Sequence, residues 1–179
     1  MNRKIQMLRL MLCRDGYKRA QYLKKKKYFH LQGKHCYFAP FNFGTEPYLI
    51  SFGDNVYVAS GVKFVTHDII SAMIEYMEPD KKLANRLGKI VVGNNVFIGA
   101  GSTILYDVNI GNNVIIAAGS LVNHDIPDGC IYGGVPAVKI GSFDAYKRKC
   151  YEFSANVNWS NSDNKAESIE KQKFFFWKK

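Results

Sequence analysis

The sequence predicts an all-β solenoid, preceded by a helical segment, interrupted by one excursion and followed by a basic, aromatic extension. Three observations carry this. Between Val92 and Val122 a branched aliphatic residue returns at every sixth position, as Val92, Ile98, Ile104, Ile110, Ile116 and Val122. Four places after each of the first five stands a small or branched residue, in Val96, Ser102, Val108, Val114 and Ser120. Corner formers fall in phase with both, since Gly93, Asn94 and Asn95 and then Gly111, Asn112 and Asn113 tolerate tight or left-handed backbone. Neither helical spacing nor strand alternation yields such a recurrence. It requires a chain that turns a corner at regular intervals and returns one side chain per flat to a common interior.

Taken in order, residues 2–13 place Ile5, Leu8, Met11 and Leu12 on one helical face, and after Asp15-Gly16 a second helical stretch runs from Tyr17 to Tyr28. Residues 1–30 thus form an N-terminal helical segment. Leu31 to Tyr48 is rich in aromatics and turn residues and poorly in phase, as expected of an irregular first coil that caps an open end. The phase resumes with Phe52, Val58 and Phe64 in the aliphatic place and Ile50, Val56 and Val62 in the second. Between His67 and Lys89 it stops, so residues 68–88 are an excursion loop between two coils, and long excursions from rigid scaffolds commonly carry function. Pro127, Gly133, Gly134 and Pro136 interrupt regular pairing and close a solenoid domain spanning 31–142. The extension 143–179 contains NWSNSDNKAESIEKQ, with little apolar content, and ends on Phe174, Phe175, Phe176 and Trp177, which need a docking place.

The formal net charge is +10, from 25 Lys and Arg against 15 Asp and Glu. The excess lies in Lys18 to Lys27, Lys147 to Lys149 and the last two residues, outside the repeat, which argues against nucleic acid and fits peripheral contact of the basic ends with a membrane surface. No stretch approaches the roughly 20 apolar residues needed to span a bilayer, and the interrupted start makes a poor secretory signal, so a cytoplasmic location is expected. Cys13, Cys36, Cys130 and Cys150 show neither metal nor redox spacing, and four free thiols are expected.

The segments VGNNVFIGAGSTIL, VNIGNNVIIAAGSLVNHDIP and YGGVPAVKI resemble the left-handed parallel β-helix acyltransferases of the hexapeptide-repeat family, near the maltose, galactoside and surface-polysaccharide O-acetyltransferases. The resemblance covers about residues 30–142. It implies acetyl-CoA as co-substrate, no metal, a homotrimer with active sites between subunits, and a carbohydrate acceptor. It assigns His67, in FVTHD at the root of the excursion, as general base, a role suited to imidazole with its ordinary pKa of about 6.5. It also assigns the Ala100 backbone N–H as donor to the oxyanion, Gly99, Ala100, Ala117, Ala118 and Gly119 as the coenzyme groove, and His124 and Lys139 as contacts toward its far end.

An imidazole base needs a partner that fixes its tautomer. Asp68 adjoins His67, but neighbours on extended chain point to opposite faces, which leaves Glu75 or Glu78, folding back from the excursion, as the candidates. Leu49 stands where the maltose and galactoside enzymes carry a sugar-touching Asn, which directs the expected acceptor toward a surface polysaccharide or its precursor, with Asn42, Tyr48, Tyr57 or Ser60 as substitute contacts. Transfer to an amino sugar or another small amine, and a solenoid serving only as a scaffold, are the alternatives. A zinc enzyme of this shape needs three histidines on the wall, and the repeat offers only His67 and His124.

Overall fold

The computed structural model describes residues 3–13, 15–159 and 164–178, with side chains from residue 8 onward. The chain divides into two compact units, the first ending at Phe143 and the second beginning at Asp144. Among the described residues no helix is long and apolar enough to cross a membrane.

Two helices open the first unit, α1 (Arg3–Leu12) and α2 (Gly16–Lys25). Asp15 starts the second by accepting a hydrogen bond from the Tyr17 N–H at 2.8 Å, the N-cap geometry that its short carboxylate favours. Helix α2 buries Ala20, Leu23 and Arg19. The Arg19 guanidinium donates to four carbonyl oxygens, those of Leu10 (3.1 Å), Cys13 (2.5 Å), Phe38 (2.6 Å) and Ala39 (2.7 Å). It therefore ties the C-terminal end of α1, where a cation complements the helix dipole, to the first coil of the solenoid. Arg19→Ala leaves those acceptors unsatisfied and should cost on the order of 3 kcal/mol in chemical unfolding, with faster amide exchange in residues 8–13. Arg19→Lys should recover only part, because one ammonium cannot reach four divergent oxygens.

The solenoid follows. Its early strands are β1 (Leu31–Gln32), β2 (Tyr37–Phe38), β3 (Ile50–Phe52), β4 (Val56–Val58) and β5 (Lys63–Phe64). After the excursion come β6 (Ile90–Val92), β7 (Val96–Ile98), β8 (Thr103–Ile104), β9 (Val108–Ile110), β10 (Val114–Ile116) and β11 (Leu121–Val122). The closing pair is β12 (Cys130–Gly133) and β13 (Val138–Ser142). They form three flats, ordered β1-β3-β6-β9, β2-β4-β7-β10-β12-β13 and β5-β8-β11. Every pairing is parallel except β12 with β13. The aliphatic residues of the six-residue pattern line the interior, with Ile98, Ile104, Ile116 and Val122 fully buried. Ser102 and Ser120 are buried beside them, and both hydroxyls donate to the Ala117 carbonyl, at 3.0 and 2.6 Å. A small polar residue is thus tolerated inside because its hydrogen bond is met.

One corner, at residues 53–55, 93–95 and 111–113, is built from asparagines. Asn55, Asn95 and Asn113 take φ of 58°, 56° and 54°, the left-handed region that Asn enters more easily than other side-chain-bearing residues. Their neighbours form a ladder in which each side-chain oxygen accepts the backbone N–H of the coil before. The bonds run Asp54 to Asn94 (2.7 Å), Asn94 to Asn112 (2.8 Å) and Asn112 to Asp128 (2.7 Å). Bonds from the Asn112 backbone and side chain hold the Asp128 carboxyl below its ordinary range.

The first coil is more regular than its sequence. Leu31 pairs with Ser51 and Tyr37 with Tyr57, in parallel register. The aliphatic pattern is absent there because a long connection folds Phe43 inward beside Phe29 and Phe38, with Phe29 and Phe43 ring centroids 4.9 Å apart. Edge-to-face packing of these rings fills the interior of the first coil.

The excursion contains a helix that the sequence reading left unassigned, α3 (Ile70–Met77). Its insertion leaves the register untouched. Ile50 pairs with Ile90 across 40 positions, and Ile90 pairs with Val108 across the 18 positions of an uninterrupted coil.

The second unit holds α4 (Phe143–Ala155) from its second residue onward, and α5 (Lys165–Trp177). The polar stretch NWSNSDNKAESIEKQ supplies the start of α5, where the Asn164 side chain accepts from the Ala166 and Glu167 N–H groups. Residues 160–163 of that stretch lie outside the described residues. Phe175 and Phe176 find a docking place on Trp159, at ring separations of 5.0 and 5.9 Å, whereas Trp177 remains exposed.

Candidate active site

Two corners of the prism concern the chemistry. One stacks residues 59–61, 99–101 and 117–119, between the flat of β4, β7 and β10 and that of β5, β8 and β11. Gly61, Gly101 and Gly119 all turn it at φ 72°. Backbone bonds couple its levels, with Gly101 N–H donating to the Ser60 carbonyl (3.0 Å) and Gly119 N–H to that of Ala100 (2.8 Å). A Cβ on Gly99 would fall 2.4 Å from the Ala118 nitrogen, so the levels touch through bare backbone. Gly99, Ala100, Ala117, Ala118 and Gly119 are brought together here as one track of small residues, with Ala100 and Ala118 exposed. None of the hydrogen bonds among the described residues uses the Ala100 N–H.

His67 stands on the next corner, with residues 105–107 and 123–125 below it. Its side chain is 33% exposed. It closes the base of the excursion by bridging to Leu87, while Asp68 N–H donates to the Arg86 carbonyl (3.2 Å) and Gly88 N–H to that of Thr66 (2.9 Å). Tyr106 donates its hydroxyl to Asp68 at 2.8 Å. Asp68 also accepts from the Ile70 N–H at 3.1 Å, just ahead of α3. These two bonds, Tyr106 first, hold the Asp68 carboxyl below its usual range, and the same contact raises the Tyr106 phenol. Arg86 lies 5.2 Å over the Tyr106 ring and pairs with Asp107.

The partner of His67 is Glu46, which sequence reasoning missed. Its Oε2 lies 2.8 Å from the imidazole Nδ1 and accepts from the hydroxyls of Thr45 (2.8 Å) and Thr66 (2.7 Å). Burial alone would raise this carboxyl, but the hydrogen bonds from Thr66, Thr45 and His67 outweigh it and the pKa falls below the ordinary value. Glu75 and Glu78 are engaged elsewhere, Glu75 by the Leu83 N–H at 2.6 Å and Glu78 by Lys81. Helix α3 turns them back onto their own loop. The signal for Glu46 was a Thr-Glu-Pro sequence just ahead of the second coil, 21 positions from the histidine.

The remaining expected contacts are dispersed. His124 is exposed on the His67 corner rather than on the small-residue track, with Nδ1 2.9 Å from the Asn123 side-chain oxygen. Lys139 lies exposed on β13, in register with Tyr132. Asn42 and Ser60 line one shallow groove of about 330 Å³ with Phe41 and Lys63, Tyr48 is exposed elsewhere, and the Tyr57 hydroxyl pairs with that of Tyr17 at 2.8 Å. Among the described residues no group of His, Cys, Asp and Glu could hold a metal ion. His67 and the Ala100 N–H occupy opposite ends of the β5-β8-β11 flat, so a single chain does not bring them to one point.

Comparison with known proteins agrees with this architecture. Residues 89–124 match the family described as bacterial transferase hexapeptide (six repeats). Protein CapG of Staphylococcus aureus is 51% identical over 110 residues, which cover 62% of this chain and 62% of that protein, so the match spans less than two thirds of the relative's length. A galactoside acetyltransferase solved with coenzyme A superposes with a TM-score of 0.57 at 23% identity, covering 73% of each chain. A maltose O-acetyltransferase from Clostridium difficile 630 gives 0.51 at 24% identity, covering 70% of this chain and 75% of that one. The repeat and the shared fold imply a left-handed winding. The chain carries the bacterial transferase hexapeptide repeat and resembles, in sequence motif and in fold, the hexapeptide-repeat acyltransferases.

Proposed function

We propose that the protein is an acetyl-CoA-dependent O-acetyltransferase acting on a sugar hydroxyl of a surface polysaccharide or its precursor. The observation that carries this is the part-exposed His67 imidazole, held by a carboxylate at the root of the excursion, on a solenoid whose adjacent corner offers small residues and the Ala100 N–H. The galactoside and maltose acetyltransferases of the same fold support the reaction class and a sugar acceptor.

In the reaction the acceptor hydroxyl gives its proton to His67 as its oxygen bonds to the thioester carbon. The carbonyl oxygen becomes an oxyanion and accepts from the Ala100 N–H, a preformed donor that needs no rearrangement. Collapse breaks the carbon–sulfur bond, and the departing thiolate takes the proton from His67. Small residues at Gly99, Ala100, Ala117, Ala118 and Gly119 let a pantetheine arm approach the backbone.

Because His67 and Ala100 stand at different corners, the site is completed between copies in a closed homotrimer, each interface joining the histidine corner of one chain to the track of the next. The exposed apolar face of α3, with Ile70, Met73 and Tyr76 at 54%, 59% and 89% exposure, supports the same assembly. His124 and Lys139 then contact the coenzyme from a neighbouring chain. The enzyme works in the cytoplasm, where the thioester is available.

Free-thiol release from acetyl-CoA, followed against panels of sugars, oligosaccharides and amino sugars, tests the reading. A hydroxyl acceptor should accelerate release, and sedimentation should give three times the monomer mass. Acceleration only by amines would replace the O-acetyl reading, and absence of coenzyme binding by calorimetry would defeat the enzyme reading altogether.

A further inference from the structure

Three donors converge on one oxygen of Glu46. The Thr66 hydroxyl at 2.7 Å, the Thr45 hydroxyl at 2.8 Å and the His67 Nδ1 at 2.8 Å all meet Oε2. Thr45 Oγ1 also lies 3.2 Å from Nδ1. Thr66 is buried, and the Glu46 side chain is only 17% exposed, so the carboxylate is fixed by its surroundings rather than by solvent. Glu46 itself precedes the short 3-10 turn Pro47–Leu49, whose proline restricts the backbone at its root. A carboxylate already accepting two hydroxyl protons is an acceptor only, so the nitrogen facing it must be the one that carries hydrogen.

We infer that Glu46 is the positioning residue of the His67 base: it holds the imidazole as the Nδ1–H tautomer, which makes Nε2 the atom that receives the acceptor's proton, and Thr45 and Thr66 lock the carboxylate in that role. The inference rests on the acyl-transfer reading for its kinetic consequence, while the tautomer itself is a property of the resting protein. Excursion glutamates play no part in it. The chemistry requires an ionised carboxylate, and the hydroxyl bonds that depress Glu46 keep it ionised below the usual glutamate range. The sign follows: a depressed folded pKa means the contact is complete above the unfolded value and is lost only as the pH falls through the lower, folded one. Ionisation of Glu46 therefore does not limit the contact near neutral pH.

The test uses the full-length protein with 15N-labelled histidine at pH 8, read by the two-bond couplings of the ring nitrogens. Wild type should show His67 with hydrogen on Nδ1. In Glu46→Gln the amide can donate to Nδ1, so the signature should move to the Nε2–H tautomer, with kcat falling about a hundredfold and the coenzyme Kd unchanged. Glu46→Asp should retain the Nδ1–H tautomer but lose part of the rate, since its carboxylate is one methylene short. A wild-type protein with hydrogen on Nε2, or a Glu46→Gln variant with unchanged tautomer, overturns the inference, and the wild-type spectrum decides it even where the variant does not fold. Loss of thiol release in every acceptor assay alongside the expected tautomers would instead strike the acyl-transfer reading.

Discussion

Under the proposed acyl-transfer mechanism, His67→Ala should lower kcat by at least about a hundredfold while leaving coenzyme affinity near that of the parent, because removal of a general base costs on the order of 10²–10⁴ in rate. The ring is 33% exposed, and its hydrogen bonds run to Thr45 and Glu46. Its loss therefore leaves the hydrophobic interior intact and should shift the thermal midpoint little. The variant should still sediment as the parent does. Calorimetry with coenzyme A and thiol release with the best acceptor measure the two quantities on the same preparation. A near-normal rate would remove His67 from the chemistry.

Mixing two inactive variants should restore activity. Ala118→Trp fills the small-residue track from an exposed position, and it should block the coenzyme without disturbing the core. If each site takes its histidine from one chain and its track from the next, co-refolding His67→Ala with Ala118→Trp in equal amounts pairs an intact histidine with an intact track in about a quarter of interfaces. Activity should then return to roughly that fraction of the parent. If one chain supplied both halves, every site in the mixture would be defective and no activity would return. Either variant refolded alone is the control, and each should stay below about one per cent.

Much of the solenoid was legible because its interior repeats. Ile98, Ile104 and Ile116 are periodic in sequence for the reason that they are buried in space, and the Asn corners are periodic because each must enter the left-handed region. The first coil hid itself, since Phe43 enters its interior from an irregular connection, beside Phe29 and Phe38, rather than from a six-residue pattern. Helix α3 was hidden too: its apolar residues remain exposed in the isolated chain, so no burial pattern marks its faces. The candidate site was half readable. His67 was marked by the break in phase after it and Ala100 by the motif resemblance, but Glu46 approaches the imidazole through the fold, from 21 positions upstream. Local reasoning favoured glutamates of the loop next to the histidine. Those side chains serve the loop's own backbone instead, as the Leu83 N–H to Glu75 contact illustrates.

The uninterrupted register on either side of the excursion has a consequence for how such chains diversify. The coil that contains it spends 40 positions where the following one spends 18, and 40 less 18 leaves 22 residues that no strand pairing depends on. Insertions and deletions within those residues leave the prism unchanged, provided the staple between Tyr106 and Asp68 still fastens their root. The excursion can therefore drift in length and content at nearly constant scaffold stability. If the proposed function holds, grafting the segment from a sugar-modifying solenoid onto the same root is a rational way to redirect the acceptor.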